Sequence, residues 1–235
     1  MKKSLTIFNI IVLYLLVIAI CMSSIFIINH TVTVFSQTAP LAGRTCVIID
    51  AGHGGEDGGA VSCTGVHESK INLEISLKLE DLFHLIGLDT LMIRSQDCSV
   101  SREGKTIAAR KISDLKERVR IVNGTSNAIL LSIHQNYFQD GRYSGAQIFY
   151  ANTGFSKELA EYVQSQFKKT INTNSNRIHK QASGVYLMDR ITCTGILIEC
   201  GFLSNPEEEH RLSTSQYQNQ ICCVIAASVS TYLNA

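Results

Sequence analysis

The stretch TCVIIDAGHGGEDGGA, residues 45–60, decides the fold because an apolar run passes directly into a glycine-rich turn. The run over 45–50 is apolar almost throughout, which is typical of a strand buried on both faces of a parallel sheet. Five glycines in the turn let the backbone bend sharply, so that His53 projects above the end of the strand. We therefore expect functional side chains at the carboxyl end of this strand.

The rest of the chain alternates apolar runs with segments of helical periodicity. Further strands are predicted over 88–94, 128–133, 146–150, 185–187 and 195–198, and helices over 68–86, 114–123, 156–170 and 215–233. Buried strands that alternate with helices favour an α/β fold. We predict a single domain over 45–235, with a twisted, mostly parallel sheet and helices on both faces.

The N-terminal segment has the composition of a membrane anchor. Residues 5–28 carry no charge, and these 24 residues exceed the roughly 20 that cross a bilayer core as a helix. Lys2 and Lys3 should remain cytoplasmic, which places the later residues on the outer side of the membrane. We predict an uncleaved transmembrane helix over 1–28, a linker over 29–44 and an extracytoplasmic catalytic domain. Cleavage near Ala39 or Ala42 remains the alternative.

The overall charge and the cysteines exclude some classes of protein. The formal net charge is +1, so no global field indicates a nucleic acid partner. The segment 102–120 holds seven basic and three acidic side chains, and it could form a solvated helix face or contact anionic wall polymers. The eight cysteines do not have the spacing of a dense disulfide framework, so buried thiols are the expectation, with one or two bridges left open.

Four residues follow predicted strands or open a helix at one edge of this sheet: His53, Glu68, His134 and Glu199. Functional groups of such sheets lie beyond the carboxyl ends of the strands. Two imidazoles and one carboxylate can hold a catalytic zinc ion with a position left open, and a second carboxylate can move protons. Each residue also has a structural explanation, for example an ion pair between Glu199 and Arg190.

Several segments together resemble the zinc-dependent N-acetylmuramoyl-L-alanine amidases of the bacterial cell wall. They are VIIDAGHGGEDGGA (47–60), Glu68 with Asn72 and Leu73, LSIHQN (131–136), SGAQIFY (144–150) and ILIECGFLSNPEE (196–208). The segment TIAARKISDLKERVRIVN (106–123) is similar to the sporulation and germination-specific branch. The resemblance spans essentially all of residues 45–234.

The resemblance implies a metal centre with one zinc ion held by His53, Glu68 and His134, and Glu199 as the catalytic residue. It implies hydrolysis of the amide between the lactyl group of N-acetylmuramic acid and L-alanine in peptidoglycan. In the sporulation branch, the product is a precursor of the muramic lactam of spore cortex. Asn136 is a candidate substrate-binding residue.

Other assignments remain open at this stage. Asp50 is expected to orient His53 or to form the turn, and Asp57 and Glu56 compete with Glu68 as an acidic ligand. A zinc peptidase acting on wall peptides, or an inactive membrane-tethered peptidoglycan-binding protein, would be compatible with the same residues. The need for an activating protein partner is also open.

Overall fold

The computed structural model describes residues 44–234, which form one α/β domain around a six-stranded sheet. The strands are β1 (Cys46–Ala51), β2 (Asp89–Met92), β3 (Ala128–Asn136), β4 (Gln147–Tyr150), β5 (Lys180–Gln181) and β6 (Thr194–Phe202). The helices are α1 (Glu68–Leu85), α2 (Ile107–Gly124), α3 (Ser156–Thr170), α4 (Pro206–Leu212) and α5 (Ser215–Leu233).

The sheet is mixed, in the order β2-β1-β3-β6-β4-β5. Strands β2, β1, β3 and β6 are parallel to one another, whereas β4 pairs antiparallel with β6. Strand β5 pairs parallel with β4, so four of the five pairings are parallel and the prediction of a mostly parallel sheet is confirmed, with the two strands β4 and β5 reversed. The four parallel strands end at the same edge, and this edge holds the predicted site residues.

Side chains of the central strands alternate between two cores, as the pleat of a strand requires. Val47 and Ile49 pack in a large cluster with apolar residues of α1, α3 and α5, whereas Ile48 packs on the opposite face with Val122 of α2. Helices thus cover both faces. Because both faces of β1 are buried, its sequence is apolar and does not alternate between apolar and polar residues.

Several predicted elements are confirmed and others are wrong. The helices over 156–170 and 215–233 have the predicted bounds. Helix α2 begins seven residues before its predicted start, because the side chain of Thr106 caps it by accepting a hydrogen bond from Ala109 N at 3.1 Å. Residues 185–187 form a turn rather than a strand, and α4 was not predicted. Its signals are an N-cap at Asn205 and a proline at the first position, Pro206.

Among residues 44–234, no helix is both long and apolar enough to cross a membrane. The predicted anchor over 1–28 and all but the last residue of the predicted linker lie outside the described residues. The cysteines of the described part are all free, namely Cys46, Cys63, Cys98, Cys193, Cys200, Cys222 and Cys223. Only Cys200 and Cys222 are buried, so the expectation of buried thiols holds for two of these seven cysteines.

Candidate metal centre

Three of the predicted site residues meet at the edge of the sheet. Glu68 lies between the two imidazoles, with His53 Nε2 at 3.2 Å from Oε2 and His134 Nδ1 at 2.9 Å from Oε1. One potential ligand atom from each residue falls within 4.8 Å of the others. The chain therefore brings two nitrogen donors and one oxygen donor to a single point.

Two glycines permit this close approach. A Cβ on Gly52 would lie 2.2 Å from His134 Nε2, and a Cβ on Gly59 would lie 2.5 Å from Glu68 Oε2. Gly59 also has a positive φ of 69°, which favours glycine. His53 itself adopts a φ of 61°, an unusual value for a residue with a side chain. The glycine-rich turn thus provides both space and backbone curvature.

Two buried arginines hold the backbone of this turn. Arg94 donates to the carbonyl oxygens of Ala51 at 2.8 Å and Gly52 at 3.0 Å. Arg118 of α2 donates to His53 O at 2.7 Å and forms a buried ion pair with Asp50. Because these donors fix the carbonyls around His53, the strained turn is held by the rest of the domain. The solvated helix face predicted for 102–120 is wrong at Arg118.

Asp57 orients the His53 ring, with 2.9 Å between Asp57 Oδ2 and His53 Nδ1. A carboxylate on the far nitrogen of a histidine fixes its tautomer and leaves the other nitrogen free for a ligand. The expectation that Asp50 would orient His53 is wrong, because both Asp50 oxygens are engaged by Arg118 and Ser132. Burial by itself raises the pKa of Asp50, but the charge of Arg118 and the Ser132 hydroxyl outweigh it, so this pKa is lowered.

Glu68 is buried, and the protein supplies several donors to its carboxylate. Backbone N–H groups donate from Ala60 at 2.9 Å and from Gln135 at 3.1 Å, and the Asn72 amide donates at 3.2 Å. Burial would raise the pKa of Glu68, but the hydrogen bonds and charges of the two histidines lower it. Burial alone would lower the pKa of His53, yet the hydrogen bonds that its ring donates to Asp57 and Glu68 raise it to about 9. The centre therefore attracts positive charge.

Glu199 lies beside the histidine-glutamate group on β6. It is the register partner of His134 on β3, so the two side chains are neighbours on the sheet. Its Oε2 is buried and has no hydrogen-bond partner within residues 44–234. Burial raises the pKa of Glu199 to about 7, against the opposing effect of His134. A carboxylate of this kind can exchange a proton at neutral pH.

The structural alternative for Glu199 is wrong. The Arg190 guanidinium stacks over the Tyr186 ring at 3.8 Å and donates to Tyr186 O at 3.3 Å. Asn136 ends β3 two residues after His134, and its carbonyl accepts from Leu203 N at 2.8 Å. Its role in substrate binding stays a prediction.

The donors present fit a catalytic zinc site. Zinc accepts imidazole nitrogen and carboxylate oxygen, and three protein ligands leave a position open. The unpartnered Glu199 Oε2 beside these ligands is the second feature of such a site, because a buried polar atom without a partner is costly unless a ligand or water meets it.

The model of one protein family matches residues 47–231, and its description is N-acetylmuramoyl-L-alanine amidase. The chain belongs to this amidase family. The match covers β1 through most of α5 and therefore the whole of the site. The activity of this amidase is hydrolysis of the N-acetylmuramoyl-L-alanine amide of peptidoglycan.

Similar proteins support the family assignment. The germination-specific N-acetylmuramoyl-L-alanine amidase of Bacillus subtilis (strain 168) is 35% identical over 195 residues, which are 82% of this chain and 81% of that protein. The structure of the CwlD amidase from Clostridioides difficile in complex with the GerS lipoprotein has a TM-score of 0.77 and 36% identity, covering 80% of this amidase and 98% of that chain. An N-acetylmuramoyl-L-alanine amidase from Clostridium difficile 630 has a TM-score of 0.69 and 30% identity, covering 83% and 99%. The resemblance stated from sequence motifs is confirmed.

Sequence reasoning missed two groups near the site. Asp57 was considered only as a rival ligand, although its spacing of four residues from His53 is a local signal. Gln147 of β4 lies opposite Glu199 in the antiparallel register, and no local pattern indicated this. The pairing of β4 with β6 joins segments about 50 residues apart, and only the tertiary structure shows it.

Proposed function

We propose that this amidase uses one zinc ion, held by His53, Glu68 and His134, to cleave the bond between the lactyl group of N-acetylmuramic acid and L-alanine. The observation that carries the proposal is the convergence of the three donor groups beside the unpartnered carboxylate of Glu199. A zinc ion supplies a Lewis acid that acidifies water and polarises a carbonyl group.

The orientation of each ligand supports this assignment. His53 Nδ1 is engaged by Asp57, so Nε2 is the atom that faces Glu68 and the site. His134 Nε2 occupies the space that a Cβ on Gly52 would fill, and Nδ1 is the atom that faces Glu68 and the site. Glu68 is held by backbone and amide donors, which leaves little freedom for its carboxylate. The three ligands are thus preorganised.

Glu199 moves the proton in this proposal. Water attacks the lactyl carbonyl carbon, and Glu199 accepts the proton that the water loses. The carbon–nitrogen bond then breaks, and Glu199 delivers the proton to the departing amine of L-alanine. The products are a lactyl carboxylate on the glycan and a peptide with a free amino terminus. The raised pKa of Glu199 suits both steps, because the side chain must first accept the proton from water and then deliver it to the amine.

The biological setting is a second part of the proposal. The similarity to a germination-specific amidase and to a sporulation-branch motif supports a role in spore cortex maturation, in which stripped muramic acid becomes the muramic lactam. We propose that residues 1–28 anchor the chain and place the domain on the extracytoplasmic side. The complex of the similar amidase with a lipoprotein supports a partner protein for this chain as well.

Purified peptidoglycan tests the reaction. Incubation with zinc-loaded protein should release new L-alanine amino termini, measured by dinitrophenyl labelling, and should leave the other peptide bonds intact. Loss of terminal residues from the peptide would instead indicate a peptidase, and retention without cleavage would indicate a binding protein. The assay is run on spore cortex and on vegetative wall, with and without a candidate lipoprotein partner, so that lack of an activator is distinguished from lack of activity.

Elemental analysis tests the metal. The protein should bind one zinc ion, and His134→Ala should lower this stoichiometry because it removes one of three ligands. An unchanged stoichiometry in His134→Ala would remove His134 from the site. Val61→Ala, a change at an exposed apolar position outside the ligand set, serves as the control.

A further inference from the structure

A cavity of about 720 Å³ opens on the β4 side of the sheet, and Gln147 of β4 forms part of its wall. It is polar, and asparagine and serine residues of the loop 172–176 form part of its wall. Its lining includes four basic side chains and two acidic ones. The basic residues are Arg142, Arg177, Lys180 and Arg211, and the acidic residues are Glu207 and Glu208. The cavity therefore has an excess of positive charge.

Gln147 connects this cavity to Glu199. The two residues are register partners across the antiparallel pair of β4 and β6. Side chains directly opposite in such a pair lie on the same face, with Cβ atoms about 4.5–5.5 Å apart. Gln147 is 2% exposed, and its amide is held by Arg177 and by the carbonyl of Ile178. The cavity thus begins one strand away from the proton-transfer group.

Arg177 is the side chain that Gln147 holds in place. Its Nη1 donates to Gln147 Oε1 at 3.1 Å and its Nε donates to Ser144 O at 2.8 Å. The guanidinium lies 4.4 Å from the centre of the Phe202 ring. Packing and hydrogen bonds therefore hold the Arg177 guanidinium in a fixed orientation at the cavity. Because the fold already restricts this side chain, little of its conformational entropy is lost when a ligand binds.

This guanidinium forms no ion pair with any carboxylate in residues 44–234, although the residue is half-buried. Glu208, which lines the same cavity, is occupied elsewhere: its oxygens accept from Gly145 N at 2.8 Å and from Phe202 N at 2.8 Å. The charge of Glu208 acts on Arg177 from nearby without a direct ion pair, so the guanidinium keeps free donors for the carboxylate of a ligand. The cavity has the charge and the free donors that a carboxylate requires.

We propose that this cavity binds the peptide side of the substrate, and that Arg177 receives the carboxylate of the residue that follows L-alanine. The inference rests on the proposed amidase function and specifies its substrate. The lactyl carboxyl of the glycan is consumed in the amide bond, whereas the peptide keeps free carboxylates. Neighbouring strands lie about 4.8 Å apart and one residue of extended peptide spans about 3.3 Å, so the residue after L-alanine extends from the strand of Glu199 toward the strand that carries Gln147.

Binding of product peptides tests the inference without using turnover. The probes are L-alanyl-D-glutamic acid γ-methylamide, which keeps only the α-carboxylate, and the same peptide with an α-amide. Isothermal titration of the zinc-loaded protein should show that the acid binds roughly tenfold or more tightly than the amide, since a hydrogen bond to a charged group contributes that much. Equal affinities of the wild-type protein for the two peptides would overturn the proposal.

Variants locate the effect. Arg177→Gln should remove the preference for the acid, and Arg177→Lys should retain part of it because the charge remains. Arg120→Gln, at an exposed arginine paired with Glu117 on α2, should retain the full preference. If Arg177→Gln kept the full preference, another group would bind the carboxylate and the assignment of Arg177 would be wrong. A protein that prefers the acid but does not cleave peptidoglycan would contradict the proposed function alone.

Discussion

The Nδ1 atom of His53 lies 2.9 Å from Asp57 Oδ2, and the same ring presents Nε2 to Glu68 at 3.2 Å. One imidazole is therefore engaged at both nitrogens by carboxylates, of which one is buried and one is partly exposed. This arrangement fixes the tautomer of His53 and raises the basicity of the ring nitrogen that faces the site. It makes Asp57, a residue of the turn itself, part of the candidate metal centre.

Asp57→Asn should weaken zinc binding about 10- to 100-fold, because the uncharged amide no longer orients and polarises His53. Competition with a chelator of known affinity measures the change. Glu56→Gln is the matched control, since Glu56 pairs with Arg110 at the surface and does not contact the histidines. Equal zinc affinity in Asp57→Asn and the wild type would show that the contact has no role in the site.

Gly52→Ala should disrupt the metal site without unfolding the domain. The new Cβ would lie 2.2 Å from His134 Nε2, so the ring must move away from Glu68. We expect a loss of zinc affinity of at least about tenfold. Gly124→Ala is the control, because a Cβ there meets no atom within 4 Å. Retention of zinc affinity in Gly52→Ala would mean that His134 can move without loss of the ligand.

Glu199→Gln should retain zinc but lower turnover by about 10²–10⁴-fold, because the amide cannot accept or deliver the proton. Zinc is measured by elemental analysis and turnover by release of L-alanine amino termini. The exposed residue Glu158 on α3 provides the control Glu158→Gln, which should retain activity. Near-normal hydrolysis by Glu199→Gln would assign the proton transfer to another group.

Arg118→Met should lower the free energy of unfolding by about 3–5 kcal/mol at neutral pH, because it leaves the buried carboxylate of Asp50 without a counter-charge. Arg120→Met, at an exposed pair on the same helix, should change it by less than about 1 kcal/mol. Denaturant titration measures both. A change in Arg118→Met as small as that in the control would contradict a supporting role for the buried pair.

The same pair predicts a pH dependence. The pKa of Asp50 is lowered in the folded protein, so its contribution to stability is complete above its ordinary pKa of about 3.9 and declines as the pH falls through the lowered value. The difference in stability between wild type and Arg118→Met should therefore shrink in acid, since a protonated Asp50 needs no counter-charge. A difference that stays constant down to about pH 3 would contradict this linkage.

Much of the fold was predictable because local sequence patterns specify most of its strands and helices. The helix over Ser156–Thr170 and the helix over Ser215–Leu233 follow from apolar periodicity, and β1 and β3 follow from short apolar runs. The positions of His53, His134 and Glu199 near the carboxyl ends of their strands follow from the same runs, although β3 and β6 continue past the predicted ends to Asn136 and Phe202. The turn at 185–187 was predicted as a strand because a short apolar run does not distinguish a buried strand from a turn packed on the sheet.

The sequence by itself determined most of the strands and helices along the chain, the family and the identity of the four side chains at the candidate site. These depend on periodicity, on glycine in the turn and on motifs, which are properties of neighbouring residues. Only the tertiary structure decided that Arg118 pairs with the buried Asp50 and that Gln147 lies opposite Glu199 and binds Arg177. The physical reason is that these contacts join residues about 30 to 70 positions apart. They form only when the sheet pairs its strands and α2 packs on it, and no local propensity specifies such pairings.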